Sequence, residues 1–144
     1  MVKEIKEIVE YALYRIDSYS DDALALVVRT GMAESGYRAL AQMGGPAISY
    51  FQLEPDTIND VIENYLHYRQ PLMDKLVKMG LDESNPNWSV MTNIAVATAF
   101  CRLKYRRDSE PIPKNLKQQA QYWKRIYNSE LGKGTIEHFI KANS

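Results

Sequence analysis

Apolar residues at Ile5, Ile8, Val9, Ala12, Leu13 and Ile16 recur every three or four positions, the repeat of one helix face, and predict a first amphipathic helix. The polar run Asp17-Ser18-Tyr19-Ser20-Asp21-Asp22 ends it and offers N-cap residues for the next. Residues 22–34 are apolar on nearly every side, as in a helix buried at the centre of a small domain, so Glu34 stands at the end of a core helix. Gly44-Gly45-Pro46 breaks regular structure, and residues 36–52 are expected to form a loop or short hairpin carrying Ile48, Tyr50 and Phe51. Pro55 and Asp56 open a helix to about residue 66, and residues 70–79 form another, closed by Gly80. Residues 81–87 read as a polar loop. The longest continuous helical pattern covers residues 88–107, with Met91, Ala95, Thr98 and Arg102 down one side, and Pro111 and Pro113 stop it. Residues 115–127 resume helical spacing, and Thr135 caps a final short helix. These elements predict a mainly α fold with a small β-hairpin or loop region.

The length, 144 residues, suits a single domain over 1–144. A 45% hydrophobic fraction, ten tyrosines and 18 basic against 18 acidic residues exclude a disordered chain, and nothing in the bulk composition calls for nucleic acid. The balance hides a gradient: residues 1–72 hold 6 Lys/Arg against 11 Asp/Glu, and residues 73–144 hold 12 against 7. A basic second half suits an anionic polymer such as a cell wall, but ordinary surface charge is the plainer reading. Cys101, alone in the sequence, forms no intrachain disulfide and is expected to be a small buried side chain. The N-terminal segment mixes charge with apolar residues and the longest apolar run covers residues 23–28 only, so neither a signal peptide nor stable membrane insertion is expected.

Glu34 is the first candidate for chemistry, because the end of an apolar helix beside a Gly-containing loop is dry on one flank and open on the other. Burial of that kind raises a carboxyl pKa, which a general acid needs if it is to hold a proton near neutral pH. Position alone fits a solvated or salt-bridged glutamate at a helix end better than a catalytic one. His67 and His138 have no partner at ligand spacing, so no metal is expected. Gly132-Lys133-Gly134 reads as a turn, not a nucleotide loop. The run Arg102, Lys104, Arg106, Arg107 reads as a solvated helix end favoured by the helix dipole, in preference to a nucleic-acid contact.

Four separated segments, over about residues 22–135, resemble the goose-type lysozyme and soluble lytic transglycosylase family in order and rough spacing. They are Glu34-Ser35-Gly36, the stretch from Gly44-Gly45-Pro46 through Phe51-Gln52-Leu53-Glu54-Pro55, Asn93-Ile94-Ala95, and Tyr127-Asn128 followed by Gly132-Lys133-Gly134. Gln52 and Pro55 match the family's Gly-Leu-Met-Gln and following Pro directly, Phe51 replaces its methionine, and Ser49 and Tyr50 depart from Gly-Leu. Ile126 and Ala97 are further departures, and the Gly-Pro-Ala wording is similar to a phage-borne branch. The resemblance implies a lysozyme-like fold with Glu34 as the catalytic acid. It further implies that Ser35, Phe51, Gln52, Tyr127 and Asn128 contact substrate or line the cleft.

The activity so implied is cleavage of the β-1,4 bond between N-acetylmuramic acid and N-acetylglucosamine in peptidoglycan; no cofactor is expected, and the chain is expected to be a monomer. A transglycosylase needs only Glu34, whereas a hydrolytic muramidase needs a second carboxylate, for which Glu54 and Asp56 are available. The opening of a helix is the preferred reading of both carboxylates, which favours the transglycosylase. The protein is expected in a phage virion or in the host cytoplasm, reaching the host periplasm or wall by release or injection. The alternative of another class is a wall-binding or virion structural protein without turnover.

Overall fold

A computed structural model describes residues 2–42, 44–129 and 131–144. The fold is mainly helical. Its helices are α1 (Val2–Arg15), α2 (Asp21–Glu34), α3 (Pro55–Asn64), α4 (Gln70–Met79), α5 (Pro86–Thr92), α6 (Ile94–Arg106), α7 (Leu116–Tyr122) and α8 (Ile136–Ala142). A 3₁₀ turn, Leu66–Tyr68, follows α3, and a π-helical segment, Trp123–Asn128, continues α7.

Helix α6 is the axis of the molecule, packing against α1 to α5 and against the π-helical segment. Val96, Ala99, Phe100, Cys101, Leu103 and Tyr105 are wholly buried along it, and side chains from Ile5 to Phe139 join one core. Helix α2 enters the core as its composition predicts: the Ser20 hydroxyl accepts the Ala23 N–H, and Leu26 and Val27 are fully buried. Burying each such side chain contributes about 1.5–3 kcal/mol. Gly36, at φ +61°, ends the helix by donating its N–H to the carbonyls of Gly31 and Met32, which leaves Glu34 as the last helical residue.

The pattern over residues 88–107 is not one helix. The chain breaks at Asn93, whose side chain accepts the Val96 N–H and caps α6, while its Nδ2 donates to the Met79 carbonyl. The apolar spacing runs through the break because both helices face one core. Pro86 and Asn87, expected in a loop, begin α5 under an Asn85 cap.

The segment between α2 and α3 carries two isolated antiparallel bridges, Ala41 with Ile48 and Ile48 with Leu53. Ser49 and Gln52 both take left-handed backbone, at φ +71° and +50°, which turns the chain too tightly for a ladder to extend. The region is therefore a bridged loop, held by paired bonds between the backbones of Ile48 and Leu53.

Candidate functional site

Helix α2, the bridged loop and the π-helical segment converge on a cleft of about 620 Å³, lined by Glu34, Gln42, Gln52, Glu54, Lys104 and Tyr127 among others. A wide helical turn is the local cause of its back wall. Tyr127 and Trp123 are both nearly fully buried there, and Asn128 follows half-buried at the rim.

Trp123 donates its indole N–H to Oε2 of Glu34 at 2.9 Å. Among the described residues Oε1 accepts no hydrogen bond, so it is free to carry a transferable proton. Burial raises the Glu34 carboxyl above its ordinary value; the Trp123 hydrogen bond and the positive charges of Lys104 and His138 pull in the opposite direction. Desolvation is the largest of these effects, so the net direction is upward.

Lys104 comes from α6 and donates to the Tyr127 carbonyl at 2.7 Å, its ammonium 4.1 Å from the centre of the Tyr127 ring. Burial holds its pKa below the ordinary value, and the negative charge of Glu34 opposes that shift without cancelling it. The solvated-helix-end reading fails here because α6 is central. Arg106 bonds the Ser18 hydroxyl and Arg107 pairs with Asp60, so the run is spread over three surroundings.

Tyr127 donates its hydroxyl to the Phe51 carbonyl at 2.6 Å. The phenol therefore fastens the bridged loop to the back wall and does not bond Glu34, and burial pushes its pKa well up. Gln52 lines the cleft and donates its amide to the Ser49 carbonyl at 2.8 Å. Asn128 accepts from Lys124, which also donates to the Gly132 carbonyl. The glycines that lie further along the sequence close against this corner: a Cβ at Gly132 would meet Asn128 Oδ1 at 2.4 Å, and one at Gly134 would meet the Trp123 ring at 2.5 Å.

The structure thus brings Glu34, Gln52, Glu54, Tyr127 and Asn128 to one cleft. Ser35, Phe51 and Asp56 are not on its wall. The Ser35 hydroxyl donates to the Tyr50 carbonyl at 2.6 Å and accepts from the Tyr37 N–H, locking the loop onto the helix end. Phe51 is fully buried, edge-on to Tyr37, and acts through its carbonyl alone. Asp56 lies in the exposed first turn of α3.

Three neighbours of Glu34 escape sequence reading. Trp123 read as helix spacing and Lys104 as surface; His138, set aside as a metal ligand, donates from Nε2 to the Ala33 carbonyl at 2.7 Å. Cys101, behind Tyr127, is buried and its thiol is pushed up to about 12, so it is inert toward nucleophilic chemistry. Among the described residues no group of three or more His, Cys, Asp and Glu gathers as a metal site would require, and no helix is long and apolar enough to cross a membrane.

Comparison of the chain with protein-family models, with curated proteins and with solved structures found no match. What the cleft can do is set by its own side chains: it offers one carboxyl whose pKa burial raises, an ammonium to stabilise its charged form, and amides for hydroxyl-rich groups.

Proposed function

We propose that this chain has a lysozyme-like fold and cleaves the glycan strands of peptidoglycan, as a lytic transglycosylase with Glu34 as acid and then base. The observation that carries the reading is the desolvated Glu34 carboxyl, held by one indole bond at the wall of a cleft that also exposes Gln52 and Asn128. A protonated Glu34 gives its proton to the oxygen between N-acetylmuramic acid and N-acetylglucosamine, and the substrate's own acetamido oxygen takes up the developing positive charge at the muramic anomeric carbon. The carboxylate, now stabilised by Trp123 and Lys104, removes the proton of the muramic 6-hydroxyl, whose oxygen displaces the acetamido group and closes an anhydro ring. Glu34 is returned in its acid form.

One specific observation favours a second reading, a hydrolytic muramidase: Glu54 lies on the wall of the same cleft and could activate water. Mass spectrometry of fragments released from purified peptidoglycan separates the two, since anhydromuramic ends require the transglycosylase and reducing ends the hydrolase. The Glu34→Gln variant, folded as wild type, is expected to lose about 10³-fold or more of this activity. Retained activity would defeat the enzyme assignment of Glu34, and binding to walls without fragment release by wild type would favour a wall-binding protein. The similarity to a phage-borne branch suggests a lysin acting on the wall of the host from within or from the virion.

A further inference from the structure

Away from the cleft, a second cavity of about 460 Å³ lies between the start of α2, the end of α6 and the chain around Pro111. Arg102 lines it, half-buried, and its Nε is shut off from solvent with no hydrogen-bond partner. A guanidinium cannot shed its charge by deprotonation within a protein, so an Nε–H cut off from water and without an acceptor is energetically incomplete. Arg106 lines the same cavity and spends one N–H on the uncharged Ser18 hydroxyl. Among the described residues neither arginine has a carboxylate in ion-pair contact.

The acidic groups on the wall are mostly engaged elsewhere. Asp22 pairs with Lys114, and Glu110 pairs with Arg125. Asp108 accepts the backbone N–H of Glu110 at 3.2 Å and has no ion-pair partner among the described residues. Two neighbouring guanidinium groups outside any ion pair thus line the cavity, against one such carboxylate, Asp108, and leave its unpaired charge positive. Arg69, stacked 3.8 Å from the centre of the Tyr65 ring that Arg106 also faces, adds to the positive potential nearby.

We propose that this cavity is a binding site for a phosphate-class oxyanion, free or as a phosphate monoester, gripped by Arg102 and Arg106. The planar N–H fork matches two phosphate oxygens, and two adjacent guanidinium groups match a doubly charged anion better than a carboxylate. The volume accommodates a small organic phosphate. The site is separate from the Glu34 cleft and independent of its reading.

The test is calorimetric titration of the full chain with inorganic phosphate, at ionic strength held constant with chloride. Wild type is expected to bind saturably, Arg102→Met and Arg106→Gln each to weaken binding by about tenfold or more, and Arg102→Lys to bind in between. Melting curves establish that each variant is folded. Titration with a simple sugar phosphate then distinguishes a monoester ligand, which would bind more tightly, from free phosphate, which would bind at least as well. Absence of saturable heat in wild type, or equal binding by folded Arg102→Met and Arg106→Gln, overturns the proposal.

Discussion

The indole N–H of Trp123 reaches Oε2 of Glu34 at 2.9 Å, joining the π-helical segment to the end of α2 across 89 positions of sequence. A donor aimed at a carboxylate stabilises the charged form, so this bond opposes the desolvation that raises the Glu34 carboxyl.

Replacing Trp123 by Phe keeps most of the buried volume and removes that donor. The Glu34 carboxyl is then expected to titrate at higher pH than in wild type. If the proposed activity holds, the limb of the pH–activity profile assigned to Glu34 moves upward, with activity reduced about tenfold at neutral pH by loss of orientation. The direct readout is Glu34 titration by carboxyl NMR in the two proteins. An unchanged titration would remove Trp123 as a determinant of the acid.

Stability gives an independent handle on the same carboxyl. Because the folded-state value lies above the ordinary 4.5, the folded chain binds the proton more tightly than the unfolded one. The contribution to stability is fully present below 4.5 and is lost as pH rises through the folded value. Glu34→Gln stays neutral throughout, and should therefore melt higher than wild type at neutral pH, the difference shrinking toward pH 4. Melting curves across that range check the sign, and a variant less stable than wild type at neutral pH would contradict it.

Sequence reading found what local periodicity encodes. Helix α4 matches the predicted residues 70–79 with Gly80 behind it, and Glu34 ends α2, because an apolar repeat and a left-handed glycine act within a few residues of themselves. The pairing of Glu34 with Trp123 and Lys104 is tertiary, and spacing alone does not reveal which turn of a buried helix faces which. Phe51 shows the converse difficulty. A motif places it beside Gln52, yet the left-handed residues on either side of Tyr50-Phe51 turn its ring into the core and leave only its carbonyl for the site.

That carbonyl makes the loop dependent on Tyr127. In Tyr127→Phe the Phe51 oxygen loses its 2.6 Å donor while buried, a loss of about 1–3 kcal/mol. Hydrogen exchange should rise at the amides of Gln52 and Leu53, which close the bridged turn, and the chemical-denaturation midpoint should fall with little change in slope. A wild-type exchange pattern with normal stability would show that the hydroxyl is not what anchors the loop.

Asn93 carries the break that separates α5 from α6. Its Oδ1 takes the Val96 N–H at 3.1 Å and its Nδ2 gives a 2.9 Å bond to the Met79 carbonyl, so one side chain caps the central helix and ties it to the end of α4. The neighbouring Gly80, at φ +121°, admits it closely: a Cβ there would lie 2.6 Å from Nδ2. Asn93→Ala removes both bonds and should cost about 2 kcal/mol, more than a cap alone. Asn93→Asp keeps the acceptor for Val96 but faces the Met79 carbonyl with a second oxygen, and should recover only part of the loss. Equilibrium unfolding of the three proteins orders them as wild type, Asp, Ala in falling stability; an Asp variant as stable as wild type would mean that the bond to Met79 contributes nothing.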